Sequence, residues 1–63
     1  MFLRVIDLCK QVPRIRVQIV NASTGEVLFE GALEDCPYRV CEMEIEKMES
    51  QNINRLDYLI FAE

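Results

Sequence analysis

Three cysteines, Cys9, Cys36 and Cys41, and a run of carboxylates at Glu42, Glu44, Glu46 and Glu49 are the groups in this 63-residue chain whose chemistry needs explaining. Histidine, the commonest general base, is absent. Cys36 and Cys41 lie at poor spacing for zinc, and no Cys-x-x-Cys pair supplies the missing ligands. The three thiols therefore read as core or half-buried small hydrophobes, with Cys9 on the apolar face of a helix. On a strand, Glu42, Glu44 and Glu46 would share one face at about 6.6–7 Å spacing. Such a ladder suits a hard cation or an acidic surface mimicking nucleic acid, although a charge run is more often a solvated face. No catalytic residue, cofactor site or metal site is assigned, and the chain reads as a non-enzyme.

Composition bounds the class. Half of the residues (51%) are hydrophobic and 29% are charged, a globular balance. A chain this short makes one domain, residues 1–63, and it buries only about 60% of the surface it exposes when unfolded. Net stability of roughly 3–9 kcal/mol follows from about 0.05–0.15 kcal/mol per residue. Domains of this size often add a disulfide, a metal or a second subunit. An odd cysteine count without dense spacing argues against the first. The ligand inventory argues against the second, which leaves self-association. No leader peptide and no membrane-length apolar run is visible, so a reducing cytoplasm is the expected location.

The net charge of −4 is unevenly spread. Residues 1–20 hold four basic side chains against one acidic, while residues 21–63 hold ten acidic against three basic. Such a balance disfavours a duplex-DNA binder, and pairing of charges between the two halves is expected.

Phe2, Val5, Ile6 and Cys9 recur at helical spacing, which predicts an amphipathic helix over 2–11 ended by Val12-Pro13. Ile15, Val17 and Ile19 alternate with Arg14, Arg16 and Gln18, the period of a half-buried strand. A three-residue loop closed by a left-handed Gly25 then sets Gln18 opposite Glu30, Ile19 opposite Phe29 and Val20 opposite Leu28. In this register Arg14 and Arg16 project from one side, with Glu30 diagonal to Arg16, so cross-strand pairing explains them better than phosphate binding. Asp35 or Cys36 is expected to cap a helix opening at Pro37. Local propensity leans toward one helix over 37–50, yet Glu42–Glu46 also alternates as a strand. Gln51–Arg55 reads as a polar lead-in to a buried strand built from Leu56, Tyr58, Leu59, Ile60 and Phe61.

The stretch from Asn21 to Tyr38, NASTGEVLFEGALEDCPY, resembles a recurrent group of small uncharacterised proteins encoded by prophages and integrative elements of Firmicutes. Ser23–Phe29 and Asp35-Cys36-Pro37-Tyr38 carry the specificity. The resemblance implies an αββαββ layout, with a short helix at 37–41, a strand near 43–49 and a last strand at 56–62. It brings no active site, because the group has no established activity. The acidic stretch Glu42–Glu49 and the three cysteines depart from its pattern.

The expected fold is therefore α+β: a small, mainly antiparallel sheet of three or four strands, an N-terminal helix and a short helix after the first hairpin. Val20 and Leu28 fall on the hairpin face that carries Arg16, Gln18 and Glu30. Joined by Tyr58 or Phe61, they would make an apolar partner-binding spot. Open sheet edges offer a further route to strand addition by another chain. The leading functional expectation is a protein-interaction or accessory module of a mobile element, acting on a protein partner or on itself as a homo-oligomer. The alternative is an acidic decoy or inhibitor of a host nucleic-acid-binding protein, presenting Glu42, Glu44 and Glu46.

Overall fold

The computed structural model describes residues 3–51 and 55–63. Its organising feature is the hairpin of β1 (Arg16–Asn21) and β2 (Val27–Ala32). Gln18 faces Glu30 and Ile19 faces Phe29, as the alternation predicts. Beyond Ile19 the register shifts, and Val20 stands opposite Val27 rather than Leu28. The cause lies in the turn. The Asn21 side-chain oxygen accepts hydrogen bonds from the Ser23 and Thr24 amides at 2.8 and 3.1 Å. The Asn21 amide donates to the Glu26 carbonyl at 2.8 Å, and the Gly25 amide donates to the Asn21 carbonyl at 2.8 Å. These bonds enclose Ala22–Gly25, a loop one residue longer than expected, and a bulge at Leu28 absorbs the difference.

Gly25 sits at φ +79° with no atom within 4 Å of where a Cβ would stand. Gly25→Ala should therefore cost only the left-handed backbone penalty, about 1–2 kcal/mol by urea denaturation. Gly25→Asn should cost less. A larger loss for alanine would mean that the turn is packed rather than merely bent.

The rest of the chain follows the expected order. Helix α1 spans Val5–Gln11, and α2 spans Tyr38–Cys41. Strands β3 (Ile45–Ser50) and β4 (Tyr58–Ala62) complete a sheet ordered β2-β1-β4-β3. Both hairpin-like pairs are antiparallel, and the central pair β1–β4 is parallel. Residues 52–54 of the expected lead-in to β4, and Met1 and Phe2 at the start, lie outside the described residues.

Several boundaries differ from expectation, among them β3, which runs Ile45–Ser50 rather than 43–49, and β4, which begins at Tyr58 rather than residue 56. Helix α1 begins at Val5, not residue 2, because Leu3 and Arg4 run extended beside the start of β3. The Ile45 amide donates to Leu3 at 2.7 Å and the Val5 amide donates to Met43 at 3.0 Å. The Asp7 carboxylate then accepts from the Arg4 amide at 3.1 Å, satisfying a donor at the helix entrance. Strand β1 begins at Arg16, which leaves Arg14 exposed ahead of it. Neither Asp35 nor Cys36 caps α2: Pro37 is its N-cap, and the Pro37 carbonyl accepts from the Val40 and Cys41 amides at 3.0 Å each. Leu33–Asp35 forms an unanticipated 3₁₀ turn that drives Leu33 into full burial.

The helix over 37–50 does not form. The chain leaves α2 at Glu42 and pairs with β4 from Ile45 onward. Glutamate and methionine propensities of a few tenths of a kcal/mol lose to this long-range pairing, which also packs Met43 and Ile45 on the core.

Helices and sheet make two layers. Val5 from α1, Val17 and Ile19 from β1, Leu33, Val40 from α2, and Ile60 and Ala62 from β4 form the buried core. Leu8, Cys9, Leu28, Phe29, Met43, Ile45 and Tyr58 pack against it. Both helices cover the same sheet face, and no described element covers the other.

Candidate functional site

The uncovered sheet face is built by strand alternation. Val17, Ile19 and Ile60 turn inward, so Gln18, Val20, Leu59 and Phe61 turn outward. Registers across the four strands then align two complete rows. One row reads Val27, Val20, Phe61, Lys47, and the other reads Glu30, Gln18, Leu59, Glu49. Arg16 extends the face beyond Gln18.

The first row is apolar for three strands. Val27 is 52% exposed, whereas Val20 beside it is only 7% exposed, sheltered by its neighbours in the row. The Lys47 ammonium lies 5.8 Å from the centre of the Phe61 ring and 3.0 Å from a Glu49 carboxylate oxygen. Its stem thus borders the apolar row while its charge is shared with Glu49. In the second row, the Gln18 amide donates to Glu30 at 3.0 Å. Arg16 is held at its backbone, with its amide donating to the Asp57 carboxylate at 2.9 Å. This leaves the guanidinium exposed.

Of the residues expected to bind a partner, Val20 and Arg16 are on this face. Leu28 and Tyr58 are not. The bulge turns Leu28 toward Val40 and Met43, and Tyr58 follows the inward phase of β4 onto the core. Val27 takes the place expected of Leu28, and of the two aromatics expected to join the spot it is Phe61 that lies beside Val20. The expected Arg16–Glu30 pairing is replaced by the Gln18–Glu30 hydrogen bond. Nor do the two halves of the chain pair their charges: the ion pair among the described residues, Lys47–Glu49, lies within β3.

The acidic ladder is dispersed. Glu42 ends α2, while a β-bulge between Ile45 and Lys47 takes Glu46 out of regular phase. Glu44 and Glu46 instead meet the C-terminal residue Glu63 around Ile45. A hydrogen bond between the Glu46 and Glu63 carboxyl groups, reinforced by their charge repulsion, raises the Glu46 pKa. Glu63 also accepts from the Ser23 hydroxyl at 2.8 Å. No group of side chains among the described residues is arranged to hold a metal ion.

The thiols converge from three elements. Cys41 is buried, and Cys9 and Cys36 are half-buried; all three are unbridged. Cys9 Sγ donates to the Leu33 carbonyl at 3.6 Å, and Cys41 Sγ donates to the Cys36 carbonyl at 3.5 Å. Burial raises Cys36 most, followed by its hydrogen bond with Cys41, and its pKa is pushed up to about 12. Cys9 is raised for the same leading reason. Protonated thiols are poor nucleophiles and poor metal ligands. Of the arrangements described, the open face is the one that offers a surface of substantial size.

Comparison with protein-family models, with curated proteins and with solved structures finds no match.

Sequence reasoning missed Val27, Leu59, Lys47 and Glu49. Lys47 and Glu49 were legible as alternating partners flanking Met48. Leu59 was concealed in a run where inward and outward residues are equally apolar, so only the pairing with β1 reveals its direction.

Proposed function

We propose that the chain is a non-enzymatic protein-interaction module that docks its partner on the open sheet face. One observation carries this reading: the apolar row Val27–Val20–Phe61, with Leu59 beside it, crosses three adjacent strands on a side that the helices leave bare. Apolar surface gathered into one patch and rimmed by charge is characteristic of docking sites. Arg16, Glu30, Lys47 and Glu49 form the rim. The raised pKa of Cys36 and Cys9 and the missing histidine support binding over catalysis.

The resemblance carried by Ser23–Phe29 and Asp35–Tyr38 supports an accessory role within a mobile element, and the reduced cysteines suit a reducing cytoplasm. No helix among the described residues is long and apolar enough to cross a membrane. Dispersal of Glu42 from Glu44 and Glu46 removes the regular charge spacing that an acidic decoy of nucleic acid would present, so docking is the better-supported reading.

Affinity capture with paired baits tests the proposal. Val27→Glu places a charge in the patch at a half-exposed position, so the fold should survive and partner recovery should fall about tenfold or more. A stoichiometric partner retained equally by wild type and Val27→Glu would place docking elsewhere.

A further inference from the structure

We propose that the occupant of the open face is the same face of a second copy of this chain; the inference rests on the docking reading above and names its partner. Charge is the first argument. In the two rows and at Arg16 beside them, two positive charges stand against two negative, whereas the whole chain carries −4; Glu46, beside Lys47 and Phe61 at the β3 bulge, and Asp57, against the Arg16 backbone, lie at the margin. Two copies therefore repel across most of their surface, and the balanced centre of this face is where they approach with the smallest penalty.

The positions of the charges give the second argument. Glu30 stands on the β2 edge and Lys47 on the opposite β3 edge, at the ends of different rows. Glu49 and Arg16 are likewise separated across the face. A two-fold axis lying in the interface and inclined to the strands carries Glu30 over Lys47 of the second copy, and Glu49 over its Arg16. Leu59 then lies next to the axis and meets its own counterpart. Such an interface is isologous, so each pairing occurs twice. Inclined strand directions are also how twisted sheets pack.

Area supplies the third. Four strands about 4.8 Å apart and six residues long span about 19 by 20 Å, or roughly 500–600 Å² per copy with side-chain relief included. Doubled, that gives about 1,000–1,200 Å², at the edge between weak, transient contacts and specific interfaces. A weak dimer, with dissociation constant in the micromolar range, is the expected outcome.

Sedimentation velocity on the wild type, Glu30→Lys and Lys47→Glu decides it. The wild type should pass from monomer to dimer as concentration rises. Each charge reversal alone sets like charges against each other twice, and should weaken dimerisation about tenfold or more. An equimolar mixture of the two variants restores one correct pairing by reversal and keeps the other native, so the mixture should dimerise like wild type. That recovery also shows that both variants are folded. A wild type that stays monomeric up to about 1 mM overturns the proposal. If Val27→Glu still abolishes capture of a different protein, the docking reading survives alone. A dimer indifferent to Val27→Glu and to both charge reversals forms on another surface and overturns this proposal, and a different protein captured equally by wild type and Val27→Glu overturns the docking reading.

Discussion

Ile60→Ala should lower the midpoint of thermal unfolding by roughly 12–24 °C. Ile60 lies in β4, paired with Ile19 on the central strand β1, and no part of it is exposed. Truncating a fully buried isoleucine costs about 2–5 kcal/mol, through lost transfer energy and the cavity left behind. At about 3 kcal/mol, and about 4–8 °C per kcal/mol in a domain this small, the quoted shift follows. Against a total of about 3–9 kcal/mol, such a loss leaves a large unfolded fraction at 37 °C. Val27→Thr gives the contrast: on the bare face it should cost less than about 1 kcal/mol. Thermal melts followed by circular dichroism would measure both. Equal losses at the two positions would mean that the two sheet faces are buried alike.

Folded Cys36 should react with iodoacetamide tens of times more slowly than an ordinary thiol at pH 8. Thiolate is the reactive species, and raising the pKa from 9.0 to about 12 cuts its fraction about a thousandfold, of which the greater nucleophilicity of the more basic thiolate returns roughly twentyfold. Urea sufficient to unfold the chain should abolish the protection. Reaction in the folded chain at the unfolded rate would contradict the raised Cys36 pKa at its half-buried position.

The same shift has a consequence for stability. The folded state holds the Cys36 proton more tightly than the unfolded state does. Its contribution is therefore complete below the unfolded value near 9.0 and is lost as pH climbs toward about 12. Cys9, raised in the same direction, adds to this alkaline decline. Cys36→Ser should flatten the fall in melting temperature between pH 9 and 11.

Local patterns announced the elements whose stability is local. Ile15, Val17 and Ile19 alternate with polar residues, and β1 turns inward in the phase they indicate. Gly25 marks the turn. The turn's length depended on the Asn21 side chain, whose two amide contacts add one residue to the loop. That single residue redirected Leu28 to the core and brought Val27 to the surface, so half of the expected binding pair was misplaced. Propensity failed for 42–50 because a strand there gains its energy from β4, which is distant in sequence. Convergence of Cys9, Cys36 and Cys41 was illegible for the same reason, since it requires α1 and α2 to pack side by side. The open face is a property of layering. Which side of a sheet remains bare depends on where both helices settle, and each helix shows only its own apolar stripe.

Amide chemical shifts recorded across a concentration series of the wild-type chain offer the most direct test of the open face as a docking surface. Concentration-dependent changes should centre on Val20, Val27, Lys47, Leu59 and Phe61, and Val27→Glu should suppress them. Shifts that move with concentration only along α1 and α2, or that move unchanged in Val27→Glu, would contradict that assignment.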